Sequence, residues 1–136
     1  MPPSLDQARV ALAAQPFSRR LGTQRNRFGP DGVELEVPVR PAHSQQHGFA
    51  HGGLLGYAAD NALTFPAGAV AGPEVLTAGY TSNVLAPVLG DRRLARAWVI
   101  SAGRRLIVTR CELIEPHSDG DHRCAIAQGI VARTTR

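Results

Sequence analysis

The amino-acid sequence predicts an α+β domain in which one antiparallel sheet curves around a single long helix. Strand-type and helix-type segments do not alternate along the chain, which argues against a doubly wound fold. The longest helical segment is apolar on most of its circumference, so it needs cover on most sides. The 136 residues, 43% of them hydrophobic, are enough for one packed core. We therefore expect one domain over residues 1–136.

The N-terminal part predicts a helical segment at about residues 1–21, ahead of a core at about 22–134. Residues 4–14 have a helical pattern, with Ser4 in the position of an N-cap. A second short helical piece is expected at 17–21, after Pro16. The period then changes to that of strands.

Alternating apolar and polar residues at 33–39 predict a strand, and the PDG turn at 30–32 predicts a hairpin with the segment at 23–28. Four apolar segments separated by turn signals follow the long helix. They lie at 75–86, 92–102, 105–115 and 122–133. Because the connections are short, we expect these four strands to be antiparallel neighbours.

Composition argues against several classes of protein. The net charge is +4 and the isoelectric point about 10.0, yet the arginines are scattered and aromatic residues make up only 5%. A nucleic-acid module would concentrate basic residues on one face or add a stacking platform. Cys111 and Cys124 lack CxxC spacing and are expected to be free thiols. With neither a signal peptide nor a membrane span recognised, we expect a cytoplasmic protein.

The segment HGFAHGGLLGYAADNALTF, residues 47–65, places a carboxylate inside the apolar helix. A helical wheel puts Asp60 on a narrow stripe beside the broad apolar face. The stripe also contains Gly53, Gly56, Tyr57 and Thr64. An unpaired buried carboxylate is costly, so Asp60 is either functional or satisfied by solvent or a structural hydrogen bond.

The start of the same helix is rich in glycine. Gly52 and Gly53 follow His51, and free N–H groups at a helix N-terminus can stabilise a carbonyl oxygen that gains negative charge. A carboxylate and such an oxyanion hole are the minimum for hydrolysing an activated acyl group such as a thioester. A metal site at His47, His51 and Asp60 is disfavoured, because the glycines make that stretch a loop.

This pattern resembles the central motif of hotdog-fold thioesterases of the PaaI type. The matching positions are Gln45, Gly48, His51-Gly52-Gly53 and Asp60, followed by LTAGYTSNVLAP at 76–87, Gly90 and AGRRL at 102–106. The resemblance covers about residues 20–134. It implies the hotdog fold, a sheet wrapped around one long helix, and hydrolysis of acyl-CoA thioesters.

The resemblance also implies roles for individual residues. Asp60 matches the catalytic carboxylate, acting as general base or nucleophile. Gly52 matches the glycine whose N–H polarises the thioester carbonyl. Gln45 stands where many relatives have Asn, and its side chain is one methylene longer. His51 is expected to order the loop, and Thr77 to orient water through its hydroxyl.

Members of the family are dimers, often dimers of dimers, with Asp and Gly contributed by different subunits to one site. Arg104 and Arg105 are candidates for contacts with coenzyme A, or else solvated surface arginines. Coenzyme A is part of the substrate, so no separate cofactor and no metal are expected. Pro66 is expected to kink or end the helix. Phe49, Tyr57 and Phe65 are candidate pocket walls.

Two other functions stay open at this stage. One is a hotdog acyl-CoA hydratase or dehydratase, although those enzymes use a His and a carboxylate near the helix start. The other is a non-catalytic acyl-CoA binding protein. The acyl group, aryl or medium-chain, is not specified by the sequence.

Overall fold

A computed structural model of the chain describes residues 3–134. Its elements are α1 (Leu5–Ala13), α2 (Pro16–Leu21), β1 (Gln24–Gly29), β2 (Gly32–Pro38), a 3-10 turn (Pro41–His43), α3 (Gly52–Ala71), β3 (Val75–Val84), β4 (Arg92–Ala102), β5 (Leu106–Glu115) and β6 (His122–Arg133). The six strands form one antiparallel sheet that packs around α3. This confirms the predicted fold class.

The two N-terminal helices begin and end at the expected local signals. Ser4 caps α1 through a capping box, in which the Gln7 N–H donates to Ser4 Oγ at 3.1 Å. In return, the Ser4 N–H donates to Gln7 Oε1 at 2.7 Å. Pro16 occupies the first position of α2, where its missing N–H costs nothing. Gly22 ends α2 with a φ of 75°, a left-handed conformation that favours glycine.

The order of the strands in the sheet is β1-β2-β4-β5-β6-β3. The expectation of four sequential neighbours is right for β4, β5 and β6 and wrong for β3, which pairs with β6 at the far edge. The reason is the curl of the sheet around α3. Residues 85–91 therefore cross the start of α3, where Val88 is buried and accepts a hydrogen bond from the Ala50 N–H at 2.8 Å.

Helix α3 fills the inside of the curved sheet. Its buried residues are Leu54, Leu55, Ala58, Ala59, Ala62, Leu63, Pro66, Ala67 and Ala69. The helix does not end at Pro66 but continues to Ala71. The residues after Pro66 are held by packing, because Ala67 is fully buried in a cluster with Ile107 and Val131.

Strand β3 forms one edge of the sheet and is largely exposed. It pairs with β6 on one side, and no strand within residues 3–134 pairs with its other side. Large apolar side chains on it are open to solvent, including Leu76 at 66% and Val84 at 55%. An exposed edge of this kind offers unpaired N–H and C=O groups to another strand.

Because α3 is enclosed by the sheet, substitutions on its buried face should lower the free energy of unfolding most. Leu63 is fully buried between α3 and the sheet, so Leu63→Ala should lower the free energy of unfolding by about 2–5 kcal/mol. Val10 on α1 is 69% exposed, and Val10→Ala should change the same quantity by at most about 0.5 kcal/mol. Urea unfolding of both variants tests this. Equal losses would show that the helix is not the centre of the core.

Candidate active site

A large cavity of about 820 Å³ lies between the N-terminal helices, α3 and the start of β3. Most of its wall is apolar. Apolar and small residues in the wall include Ala8, Ala11, Phe17, Phe28, Phe65, Gly68, Val75 and Leu76. Four polar residues, Asp60, Asn61, Thr64 and Thr77, join it from α3 and β3. The cavity thus combines apolar room for an acyl group with a carboxylate.

Asp60 lines this cavity without being held by the protein. Its Oδ1 atom is buried and has no hydrogen-bond partner among residues 3–134. The stripe predicted on α3 is present, since Gly53, Gly56, Tyr57 and Thr64 are at least partly exposed beside the buried apolar face. A carboxylate oxygen in this state can accept a proton or a hydrogen bond from a molecule in the cavity.

Thr77 reaches the same cavity through a short hydrogen-bond chain. Thr64 Oγ1 donates to the Asp60 carbonyl oxygen at 2.9 Å and lies 2.8 Å from Thr77 Oγ1. Because the Thr64 proton is used, Thr77 must donate in the second bond. The lone pairs of the Thr77 hydroxyl are then left to accept from water. The structure therefore brings Thr77 and Asp60 to one cavity.

A small cavity of about 390 Å³ lies at the start of α3. It is lined by Gln45, Phe49, Ala50, Gly52 and Leu55, together with residues 84–88. Gly52 is the first residue of α3, and its N–H makes no hydrogen bond within the described part of the chain. A Cβ at Gly52 would meet nothing within 4 Å, so this glycine borders open space.

His51 caps α3 and leaves the Gly52 donor free. The ring Nδ1 atom of His51 accepts a hydrogen bond from the Gly53 N–H at 2.8 Å. The backbone N–H of His51 donates to the His43 carbonyl oxygen at 2.8 Å. The ring thus satisfies one of the free donors at the helix start and fixes the entering chain. The position of His51 is thus at the junction of the preceding loop and the start of α3.

Gln45 folds back on its own loop. Its Oε1 atom accepts from the His47 N–H at 2.6 Å and from the Phe49 N–H at 3.3 Å. With the oxygen occupied, the side-chain NH₂ group is the part left to donate to a ligand in the small cavity.

Within one chain, four of the predicted site residues lie in two separate cavities. Asp60 and Thr77 line the large cavity, whereas Gln45 and Gly52 line the small one, and no lining residue among those described is shared. Gly52 and Asp60 are separated by eight positions on α3, a rise of about 12 Å along the helix axis. A single carbonyl group cannot contact both within one subunit.

Arg104 and Arg105 are exposed on the turn between β4 and β5 and appear in neither cavity wall among the described residues. Ala132 on β6 faces both Leu106 and Leu76, so this turn lies at the same end of the sheet as the start of β3. The two arginines are thus near the end that carries the large cavity.

Comparison with known proteins identifies the family. No family model matches the chain. The structure of a thioesterase family protein from Silicibacter pomeroyi superposes with a TM-score of 0.84 and 31% identity, over 91% of this chain and 93% of that one. The chain belongs to the thioesterase family. Its fold is the hotdog fold that the sequence resemblance implied.

Further relatives agree with this thioesterase assignment. A mutant of the phenylacetic acid degradation protein PaaI from Thermus thermophilus superposes with a TM-score of 0.77 and 29% identity, over 88% of this chain and 99% of that one. A protein of Mycobacterium tuberculosis named as a candidate esterase is 39% identical over 54 residues, 40% of this chain and 39% of its own length. The matched segment thus spans well under half of that curated relative. The resemblance to PaaI-type thioesterases is confirmed.

The structure contains a hydrogen-bonded cluster that the sequence did not reveal. Tyr57 Oη lies 2.7 Å from both Ser18 Oγ and Thr23 Oγ1, and Asn61 Nδ2 donates to it at 3.1 Å. Ser18, 1% exposed, donates to Gln15 Oε1 at 2.6 Å. The cluster fixes α2 against α3 beside the large cavity. Tyr57 and Asn61 at i and i+4 were the one signal in the sequence, but Ser18 gave none.

The sequence did not indicate a buried arginine either. Arg25 on β1 is 3% exposed, and its guanidinium carbon lies 3.4 Å from the centre of the Phe65 ring and 5.8 Å from that of Phe28. None of its three guanidinium nitrogens has a hydrogen-bond partner among residues 3–134. Burial lowers the pKa of Arg25 to about 9, and the nearby Tyr57 opposes this shift. The side chain is therefore still a cation at neutral pH.

The two cysteines stand apart from both cavities. Cys111 and Cys124 are buried free thiols in the described chain, and burial raises the pKa of Cys111 to about 12. Neither thiol is poised to act as a nucleophile. Within residues 3–134 there is no group of three or more His, Cys, Asp or Glu placed to hold a metal ion. None of the helices in that range combines the length and apolarity that a membrane crossing requires.

The Tyr57 cluster yields a test of how the cavity wall is held. Tyr57→Phe removes a hydroxyl that bonds both Ser18 and Thr23, so we expect a loss of about 1–2 kcal/mol in the free energy of unfolding. Tyr80→Phe is the matched control, because Tyr80 on β3 is 42% exposed and should lose almost nothing. Urea unfolding measures both. Similar losses in the two variants would show that the cluster contributes nothing specific.

Proposed function

We propose that this protein hydrolyses acyl-CoA thioesters, with an aryl or medium-chain acyl group, to the free acid and coenzyme A. Its thioesterase relatives support hydrolysis of thioesters in general. The proposal of acyl-CoA as substrate depends mainly on the Asp60 carboxylate. Its Oδ1 atom is buried at an apolar cavity with no partner among residues 3–134. That cavity, about 820 Å³, is large enough for such an acyl group.

In the proposed reaction the Gly52 N–H and the Gln45 NH₂ group donate to the thioester carbonyl oxygen. They stabilise the negative charge that develops there in the transition state. Asp60 then acts in one of two ways. As a general base it takes a proton from water, whose oxygen attacks the carbonyl carbon while Thr77 accepts a hydrogen bond from the other O–H of that water. As a nucleophile it forms a mixed anhydride, which water hydrolyses.

In either route the carbon–sulfur bond breaks and the sulfur leaves as a thiolate. A thiolate is a good leaving group and needs little protonation, since thiols have a pKa of about 8.5. This suits a site whose described residues include one carboxylate in the large cavity and no second general acid beside it. The products are a carboxylate and coenzyme A, with the proton from water ending on the thiol or in solution.

We propose further that the site is composite, built by two subunits. Antiparallel pairing of β3 with β3 of a second copy would cover the open edge and place the Val84 end of one strand beside the Val75 end of the other. The small cavity of one subunit, with Gly52, would then face the large cavity of its partner, with Asp60. The homodimer is expected to pair again into a dimer of dimers.

Arg104 and Arg105 are proposed to contact the phosphates of coenzyme A from the β4–β5 turn. Exposed guanidinium groups suit phosphate, and the turn lies at the sheet end near Thr77. No further cofactor and no metal enter the proposal. We place the activity in the cytoplasm, in keeping with two free thiols in the described chain.

If Asp60 is the base or nucleophile, replacing its carboxylate by an amide should strongly reduce the rate of thioester hydrolysis. Asp60→Asn keeps the size of the side chain but removes the base or nucleophile, so release of coenzyme A should fall about 100-fold or more. A panel of aryl- and alkanoyl-CoA thioesters with a thiol-reactive dye measures it. Asp6→Asn, at an exposed carboxylate on α1, is the control and should keep the native rate.

Three outcomes of this experiment would contradict the proposed hydrolysis or the role of Asp60. Loss of enoyl-CoA absorbance without thiol release would indicate a hydratase. Tight binding of an acyl-CoA by the native protein without any turnover would indicate a binding protein. Equal rates for native protein and Asp60→Asn would exclude Asp60 from the chemistry.

Gly52→Pro removes the proposed oxyanion donor while leaving the helix intact. Proline is favoured at the first position of a helix, and His51 before it is already extended, with φ −61° and ψ 138°. We expect the turnover rate to fall about 100- to 1000-fold. Gly52→Ala, which keeps the N–H, should lose far less. Circular dichroism checks that α3 is retained, and similar rates for Pro and Ala would refute the donor role.

A composite site predicts complementation between two inactive variants. Mixed dimers of Asp60→Asn and Gly52→Pro contain one site with both lesions and one with native Asp60 and native Gly52. Refolding the variants together should therefore restore about a quarter of the native rate. Each variant refolded alone is the control. No recovery in a mixture shown to contain mixed dimers would contradict a site shared between subunits.

A further inference from the structure

Arg25 places a positive charge behind the wall of the large cavity. Resting on the proposed function, we propose that Arg25 is a specificity-determining residue that favours acyl groups ending in a carboxylate, so that the substrates are monothioesters of dicarboxylic acids with coenzyme A. The carboxylate end would lie toward Arg25 and the thioester toward Asp60.

Arg25 is costly to the free protein. It is 3% exposed, and none of its guanidinium nitrogens finds a hydrogen-bond partner in the part of the chain that the structure describes. The face of the guanidinium is satisfied by the Phe65 ring at 3.4 Å, but the N–H groups at its edge are not. A buried cation in this condition is normally paired, and the natural partner of a planar fork of N–H donors is a carboxylate.

Arg25 also lies against residues of the cavity wall. Phe65 and Phe28, which contact Arg25, both line the large cavity and meet edge to face with ring centres 6.3 Å apart. Tyr57, which raises the pKa of Arg25 through a charge interaction, also lines the cavity. The cation therefore stacks on a side chain of the cavity wall, and we infer that its charge acts on a ligand in the cavity across the Phe65 ring.

The charge of the cavity wall would also orient such a ligand. Among the lining residues described, Asp60 is the one acidic side chain, and no Lys, Arg or His joins it. A second carboxylate in the ligand is repelled by Asp60 and attracted by Arg25, which orients the ligand. Asp60 and Phe65 are five positions apart on α3, a rise of about 8 Å, which suits an acyl group of medium length.

The test compares two thioesters of nearly the same shape. One is adipyl-CoA, and the other is the branched alkanoyl-CoA in which an isopropyl group replaces the terminal carboxylate. The measured quantity is the ratio of their kcat/KM values, so that a general loss of activity cancels. We expect the native protein to favour adipyl-CoA, and Arg25→Met to reduce the ratio about 10- to 100-fold.

Matched variants separate charge from structure. Arg27→Met removes an exposed arginine from the same strand and should keep the native ratio. Arg25→Lys keeps a cation and should retain part of the preference, whereas Arg25→Gln is a second neutral variant if Arg25→Met does not fold. Arg25→Met should also unfold at an equal or higher temperature than native protein, because it removes a buried charge without a partner in the described chain.

Two outcomes overturn the proposal: a native protein without preference for the carboxylate, or a preference that survives in Arg25→Met and Arg25→Gln. Calorimetry with the Asp60→Asn variant, alone and with Arg25→Met, distinguishes this failure from failure of the proposed function. If neither thioester is hydrolysed but adipyl-CoA binds more tightly and loses that advantage with Arg25→Met, the charge selection stands. If both bind equally well, it is refuted, whatever the turnover.

Discussion

The structure depends on covering one helix that is apolar almost all round. A chain of this size has a single sheet with which to do so, and a flat sheet would cover α3 on one side only. The sheet therefore curls, and the strand order follows from the curl. Strands β3 and β4 are consecutive in sequence yet separated in the sheet, since residues 85–91 cross the start of α3 with Val88 buried against it. The same crossing forms one wall of the small cavity beside Gly52.

The curl also decides which part of α3 stays uncovered. Six strands surround the face with Leu54, Ala58 and Leu63, and they leave the stripe with Asp60 and Thr64 to the N-terminal helices and the start of β3. These helices do not pack tightly onto the stripe, and the gap is the large cavity. The chemistry proposed for Asp60 thus arises from incomplete cover of α3, which leaves this carboxylate at the edge of a cavity.

Local patterns predicted most of the fold, and tertiary contacts account for what they missed. The Ser4 cap, the PDG turn and the alternation after Val33 are signals within a few residues, and each element they predict is present. Pairing of β3 with β6 is not encoded locally, because it depends on the curvature of the whole sheet. The motif located Asp60, Gly52 and their neighbours, whereas Arg25 and Ser18 were invisible, since their meaning comes from elements distant in sequence.

Asp60 and Arg25 share a property that stability alone does not explain. Asp60 has a buried oxygen without a partner and Arg25 has three buried nitrogens without one among residues 3–134. Arg93, another buried arginine, lacks a partner at Nε alone and is bound to Glu115 at 3.0 Å. Folding stability would favour pairing them or replacing them by apolar residues. Both lie at the large cavity, one in its wall and one behind it. Charges of opposite sign kept unsatisfied around one apolar space are what a site needs when its ligand, not the protein, supplies the partners.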